Sequence, residues 1–98
     1  MKAPQFVVMH VPGPGWKPGV AVFEQEGLDL HVAHYRTLHA VGKLVMGGPF
    51  LDPRSGGMMI AAPGVEEDEL RAFAADDPAV RSGLLTFELR PWLVGMQP

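Results

Sequence analysis

"LHVAHYRTLHAVGKLVMGGPF" (Leu30–Phe50) changes its period halfway along. From Leu28 the apolar residues recur at helical spacing, and the helical pattern stops at Gly42, the residue type that closes helices in the left-handed conformation. Lys43 to Phe50 then reads as a strand that runs out at Gly47-Gly48-Pro49. A helix leading straight into a strand is the middle of a βαβ unit, so the elements on either side decide the fold.

Upstream, "QFVVMHV" (Gln5–Val11) is apolar and β-branched with little alternation, which predicts a strand covered on both faces. "PGPGWKPG" (Pro12–Gly19) is a loop, and Val20–Gly27 leaves room for a short turn of helix at most. Downstream, "LDPRSGG" (Leu51–Gly57) is a turn and "MMIAA" (Met58–Ala62) a third strand, again apolar on both faces. Pro63-Gly64 opens a second helix. Its first turn, Glu66–Glu69, sets negative charge at the positive end of the helix dipole, and Leu70, Phe73 and Ala74 form its inner stripe. "DDPAVRSG" (Asp76–Gly83) reads as a capped turn or short helix. "LLTFELRPWLV" (Leu84–Val94) alternates cleanly, with Leu85, Phe87 and Leu89 on one side and Thr86, Glu88 and Arg90 on the other.

The order βαββαβ predicts an α+β, ferredoxin-like antiparallel sheet in one domain spanning 1–98. In that topology the first and third strands are central, and these are the two read as apolar on both faces. Helices can cover only one face of such a sheet. A second copy is the economical cover for the other, so a homodimer packed sheet against sheet is expected.

The totals narrow the function classes. The 98 residues are 47% apolar with six methionines, more apolar surface than a small monomer hides easily. A net charge of −3 with scattered Lys and Arg argues against nucleic acid. The absence of cysteine removes disulfides and thiolate metal sites. No apolar run approaches the ~20 residues of a membrane span, and no signal peptide is read at the N-terminus. A cytoplasmic protein is expected.

Three histidines stand in the nine residues from His31 to His39. At ~100° per residue, His31 lies within about 20° of Leu38 and about 40° of Tyr35, near the centre of the buried stripe, while His34 and His39 diverge by about 140°. They do not converge, so no metal site is expected from this helix. His31 is therefore either a core histidine satisfied by one hydrogen bond or a general base or acid, which would need an orienting carboxylate. Asp52, Asp76 and Asp77 are the candidates, and spacing does not choose between them. His10, ending a central strand, marks where a pocket can open. "GGPF" (Gly47–Phe50) lacks the Lys-Ser/Thr of a phosphate loop; its glycines let the backbone bend and approach a neighbour.

Together, "HVAHYRTLHAVGKLVMGGPFLD", "GGMMI" and "DDPAVRSGLLTFELRPW" resemble the YCII-related family over nearly the whole chain. The shared elements are His31 eleven residues before Gly42, Gly48-Pro49 after the second strand, and Asp77-Pro78 followed by Gly83. The resemblance implies a ferredoxin-like fold dimerising as an α+β barrel, and a pocket holding a His–Asp pair suspected to be catalytic. His31 matches the histidine; Asp77 is the aspartate carried over, with Asp76 beside it. A few relatives eliminate chloride from hydroxylated aromatic rings. Trp16, in a long loop, is placed near the pocket mouth or the dimer seam, and His10, Tyr35, Gly48 and Pro49 are the other candidate lining residues.

Two functions follow as expectations. One is a small cofactor-free enzyme in which Asp77 orients His31 for proton transfer on a small cyclic or aromatic substrate, a lyase, isomerase or dehalogenase step. The other is a non-catalytic dimer that binds a small ligand or partner protein, with His31 and Asp77 merely holding the fold. An open pocket beside His31 separates the two.

Overall fold

The computed structural model of the chain describes residues 3–98, and its first element, β1 (Gln5–Pro12), is the axis of the molecule. Val7 and Val8 on adjacent positions are both buried, so this central strand is shielded by its neighbours even on the face that no helix covers. β1 pairs antiparallel with β3 (Gly57–Ala61) on one side and β4 (Leu85–Trp92) on the other. β2 (Leu44–Pro49) lies outside β3, giving the sheet order β2-β3-β1-β4. This is the ferredoxin-like α+β arrangement, with every neighbouring pair antiparallel. Its strands and helices fall where the period changes place them.

Between β1 and β2, a 3-10 turn at Val22–Glu24 precedes α1 (Leu28–Ala40). The buried residues of α1 are Leu28, His31, Tyr35 and Leu38, a single stripe at i, i+3, i+7, i+10. The helix ends in a Schellman closure. Gly42 at φ 78° donates its N–H to the His39 carbonyl at 3.0 Å, and Lys43 N donates to Leu38 O at 3.1 Å.

α2 (Glu67–Ala75) carries Glu67, Asp68 and Glu69 in its first turn and buries Leu70 and Ala74. A half-turn further, Asp77 caps α3 (Pro78–Arg81), with Pro78 in the first helical position where its missing N–H costs nothing. Val8, Tyr35, Leu38, Leu44, Ala61, Leu70 and Ala74 form the main core between the sheet and the two longer helices, with Phe6, Phe87 and Leu89 packed against it. A second cluster of Leu28, Ala79, Leu84 and Leu85 locks α3 between the start of α1 and the start of β4. That second cluster positions the site, because it brings Asp77 against the first turn of α1.

The alternation of β4 holds: Phe87 and Leu89 are half-buried toward the helices while Thr86, Glu88 and Arg90 are exposed. On the other sheet face Val7, Met9, Val11, Ile60 and Trp92 belong to neither core cluster, and Val11 is 55% exposed. No helix of the described residues is long and apolar enough to cross a membrane.

A buried His-Asp pair beside an open cavity

Three elements bring three titratable side chains together at the end of the sheet. α1 supplies His31, β1 supplies His10, and the cap of α3 supplies Asp77; all three are buried. His31 Nδ1 lies 2.6 Å from Asp77 Oδ2. The other carboxylate oxygen, Oδ1, accepts the Ala79 backbone N–H at 2.9 Å. Asp77 therefore caps its helix and engages His31 at the same time, one oxygen for each task. The two uses of Asp77 that the sequence offers as rivals coexist.

Burial by itself would raise the Asp77 pKa. The hydrogen bond from His31 outweighs it, together with the Ala79 N–H and the nearby imidazoles, and the carboxyl is held below its usual range. Since Asp77 is the ionised acceptor, His31 must donate from Nδ1. In neutral His31 this leaves Nε2 with a lone pair, the arrangement a general base requires.

His10 stands behind this pair. Its ring meets His31 edge-on with centroids 4.8 Å apart, and its Nε2 is 3.9 Å from Asp77 Oδ2. Burial pushes the His10 pKa down to about 4, helped by the His31 charge and opposed by Asp77. The ring is neutral near pH 7. Its Nδ1 is buried without a hydrogen-bond partner. Tyr35 completes the group: its hydroxyl is 3.5 Å from His10 Nε2, the outer limit of a hydrogen bond. Burial, then the Asp77 charge, raises the phenol above its ordinary range, so Tyr35 remains a neutral O–H.

His10, His31 and Asp77 offer ligand atoms within 4.8 Å of one another, a grouping that invites a metal. Two tetrahedral ligands at ~2.0–2.1 Å from a zinc ion stand about 3.3 Å apart. The 2.6 Å between His31 and Asp77 is too short for that and is the length of a close, charge-assisted hydrogen bond. The geometry fits the pair as acid and base better than as a coordination shell.

A cavity of about 490 Å³ opens beside this group, of the size that holds a small organic molecule. His10, His31 and Tyr35 line it, as do Trp16, Gly48 and Pro49. Asp77, fully buried, is not at its surface and acts only through the histidine. Gly47, Gly48, Gly56 and Gly57 let backbone rather than side chains form part of its sheet end, between Met46, Pro49 and Met58. Gly56 also fixes His10: at φ 75° it packs so close to the His10 carbonyl that a β-carbon would collide with it.

The remaining candidates fall away from the pair. Asp52 is exposed in its turn, where Oδ1 accepts the Arg54 N–H at 3.0 Å, and Asp76 is exposed beside Arg81 at 3.3 Å. His34 donates from Nε2 to the Phe73 carbonyl at 2.7 Å and stacks on the Phe73 ring, a bond between α1 and α2. His39 is exposed and lines the cavity wall. The contact of His10 with Asp77 is the part that residue spacing did not reveal. Its one signal is parity: His10 shares the strand face of Phe6 and Val8, which pack against the helices.

Among solved structures the chain is similar to 5-chloro-2-hydroxyhydroquinone dehydrochlorinase (TftG) from Burkholderia phenoliruptrix AC1100, in complex with 2,5-dihydroxybenzoquinone. The two are 24% identical with a TM-score of 0.68, over 93% of this chain and 95% of that one, and the likeness shows a common fold. Among curated proteins no sequence match was found. The model of the YCII-related domain matches residues 8–93, from the middle of β1 to just past β4, and the chain belongs to that family.

Proposed function

We propose that this single domain is a small enzyme, working without a cofactor, that moves a proton on a small cyclic or aromatic substrate. His31 is the acid/base residue and Asp77 its orienting partner. The observation that carries the reading is the 2.6 Å His31–Asp77 bond at the wall of an open cavity. A histidine whose Nδ1 proton is fixed by a carboxylate presents Nε2 as base, and the imidazolium formed is stabilised by the same carboxylate. On a hydroxylated ring in its keto tautomer, with the leaving group on a saturated carbon, Nε2 would take a proton from a hydroxyl or an adjacent acidic carbon, the electron pair forming the new double bond as the leaving group departs as an anion. The net loss is HX, and the imidazolium returns its proton to solvent. The name of the structural relative, a dehydrochlorinase, places this class of elimination first among those to try.

The enzyme is further proposed to act as a cytoplasmic homodimer packed through the sheet face that carries Val7, Met9, Val11, Ile60 and Trp92. No helix covers that face; Val7 and Ile60 are buried within the single chain, but Val11 and Trp92 are exposed and Met9 half-buried, apolar surface that a second copy would cover. The second reading, a ligand-binding dimer without chemistry, draws on the Asp77 cap, which gives the carboxylate a structural task of its own.

The test is release of halide or a change in ultraviolet absorbance on incubation with halogenated hydroxyaromatics, hydroxyquinones and small lactones. His31→Gln should lower turnover by ~10²–10⁴. Equal turnover in the wild type and in folded His31→Gln would leave the histidine a core residue and favour the binding reading.

A further inference from the structure

Arg36 is the feature of the cavity that acid/base chemistry leaves unused. It follows His31 by five residues on α1, ~7.5 Å further along the helix axis, and lines the same cavity. No carboxylate lines that cavity, although Asp and Glu outnumber Lys and Arg eleven to eight in the chain. Elsewhere Lys43 is matched with Glu69, Arg54 with Asp52, Arg71 with Glu67 and Arg81 with Asp76. Lys17 and Arg90 are also without an ion pair but lie away from the cavity, so Arg36 is the one Lys or Arg among its lining residues. Among the described residues Arg36 has neither an ion pair nor a side-chain hydrogen bond.

Apolar side chains line the cavity with Arg36 and His31, among them Val32 and Met59. Tyr35 and His10, both neutral, line it beside His31. The cavity thus joins one fixed cation, with His39 a turn beyond it on α1, to apolar walls and to the group formed by His10, His31 and Tyr35. A guanidinium offers five N–H donors in a planar fork that matches two anionic oxygens. When a ligand displaces the water around it, those donors need such oxygens in return.

We infer that Arg36 is the anion-binding residue of this cavity, and that the ligand is a one-ring organic anion. Its carboxylate or ionised enol oxygens meet the Arg36 guanidinium, and its ring lies against the apolar lining, Val32 and Met59 among it, in the cavity that His31 also lines. The assignment rests on the cavity taking a small ring, as in the proposed function, and does not require turnover.

Binding to the purified full chain should be measured by calorimetry with three probes. 2,5-Dihydroxybenzoate and hydroquinone share a ring and differ by one carboxylate; 2,5-dihydroxybenzoquinone tests an ionised enol in its place. The wild type should hold at least one of the two anions about tenfold more tightly than hydroquinone, the worth of one charge-assisted contact. Arg36→Gln should abolish that preference and leave hydroquinone affinity unchanged, while Arg36→Lys, which keeps charge without the fork, should retain part of it. Which anion shows the Arg36-dependent preference tells a carboxylate from an enolate, and either supports the assignment. Equal affinity for the anions and hydroquinone, a preference that survives in Arg36→Gln, or no binding of either anion would overturn it. An Arg36-dependent preference in a wild-type protein that turns over nothing would support the assignment and count against the acid/base reading alone.

Discussion

Acidification is the perturbation for which the structure gives the sharpest number. His10 titrates near 6.5 in an unfolded chain and near 4 in the fold, because burial disfavours its charged form and the neighbouring His31 adds to that. Between those values the unfolded chain holds a proton on His10 that the native protein does not. Stability must then fall as pH falls, starting near 6.5 and levelling out below about 4. The full span corresponds to about 3 kcal/mol, and about 2 kcal/mol of it is lost between pH 7 and pH 5. That upper window avoids most carboxylates, whose unfolded values lie near 4. Asp77, held below its ordinary value, loses its own contribution only at lower pH, as acid protonates the folded carboxylate. The assay is urea unfolding at pH 7 and pH 5, compared between the wild type and His10→Gln. For a domain this size 2 kcal/mol moves the midpoint by about 1.5 M urea. The substitution lowers stability at both pH values but removes the titrating group, so its midpoint should shift by much less. His31, His34 and His39 are present in both proteins, and their contribution largely cancels in the comparison. An equal pH-dependent loss in His10→Gln would refute the account of His10 as a buried, neutral imidazole.

Two further outcomes follow from the same geometry. Asp77→Ala removes a helix cap and a charge-assisted bond to a buried imidazole, and should cost about 3 kcal/mol by urea unfolding at pH 7; a loss no larger than that of an ordinary surface substitution would deny the double role of the carboxylate. Val11→Glu puts a charge on the uncovered sheet face at a position 55% exposed in the single chain. A monomer should tolerate it within about 0.5 kcal/mol, whereas a sheet-face dimer should dissociate, which sedimentation of both proteins at micromolar concentration decides. A wild type already monomeric there would remove the dimer from the proposal.

The sequence carries the fold because its local signals agree with one another. Gly42 closes α1 just where the apolar period changes, Asp77-Pro78 starts α3, and Leu85, Phe87 and Leu89 alternate toward the core. The acidic first turn of α2 points the same way. Such signals act over a few residues, so they survive without knowledge of the tertiary structure. The site is legible only in part, for the opposite reason. His31 is found by its place on the α1 stripe, a local property. Its partner lies 46 residues away, and only the packing of Leu28 against Ala79, Leu84 and Leu85 brings the two together. Without the family pattern, Asp52, Asp76 and Asp77 are equivalent in spacing, although burial and a hydrogen bond later separate them completely.

His10 is the harder case. β1 is apolar on both faces, so alternation does not say which way a given residue points; a polar residue at its end could face solvent as easily as the helices. What decides is that Val8 packs in the main core and His10 shares its face. A histidine placed there must surrender its charge to remain buried, since Asp77 already gives its close contact to His31 and stays 3.9 Å from His10. The depressed proton affinity of His10 and the short His31–Asp77 bond are thus two consequences of one arrangement, a single carboxylate between two imidazoles. One ring takes the carboxylate and gains an oriented proton; the other is left neutral, with a nitrogen unpaired. In the proposed reaction, the same asymmetry would leave the cavity one oriented base, His31, instead of two competing ones.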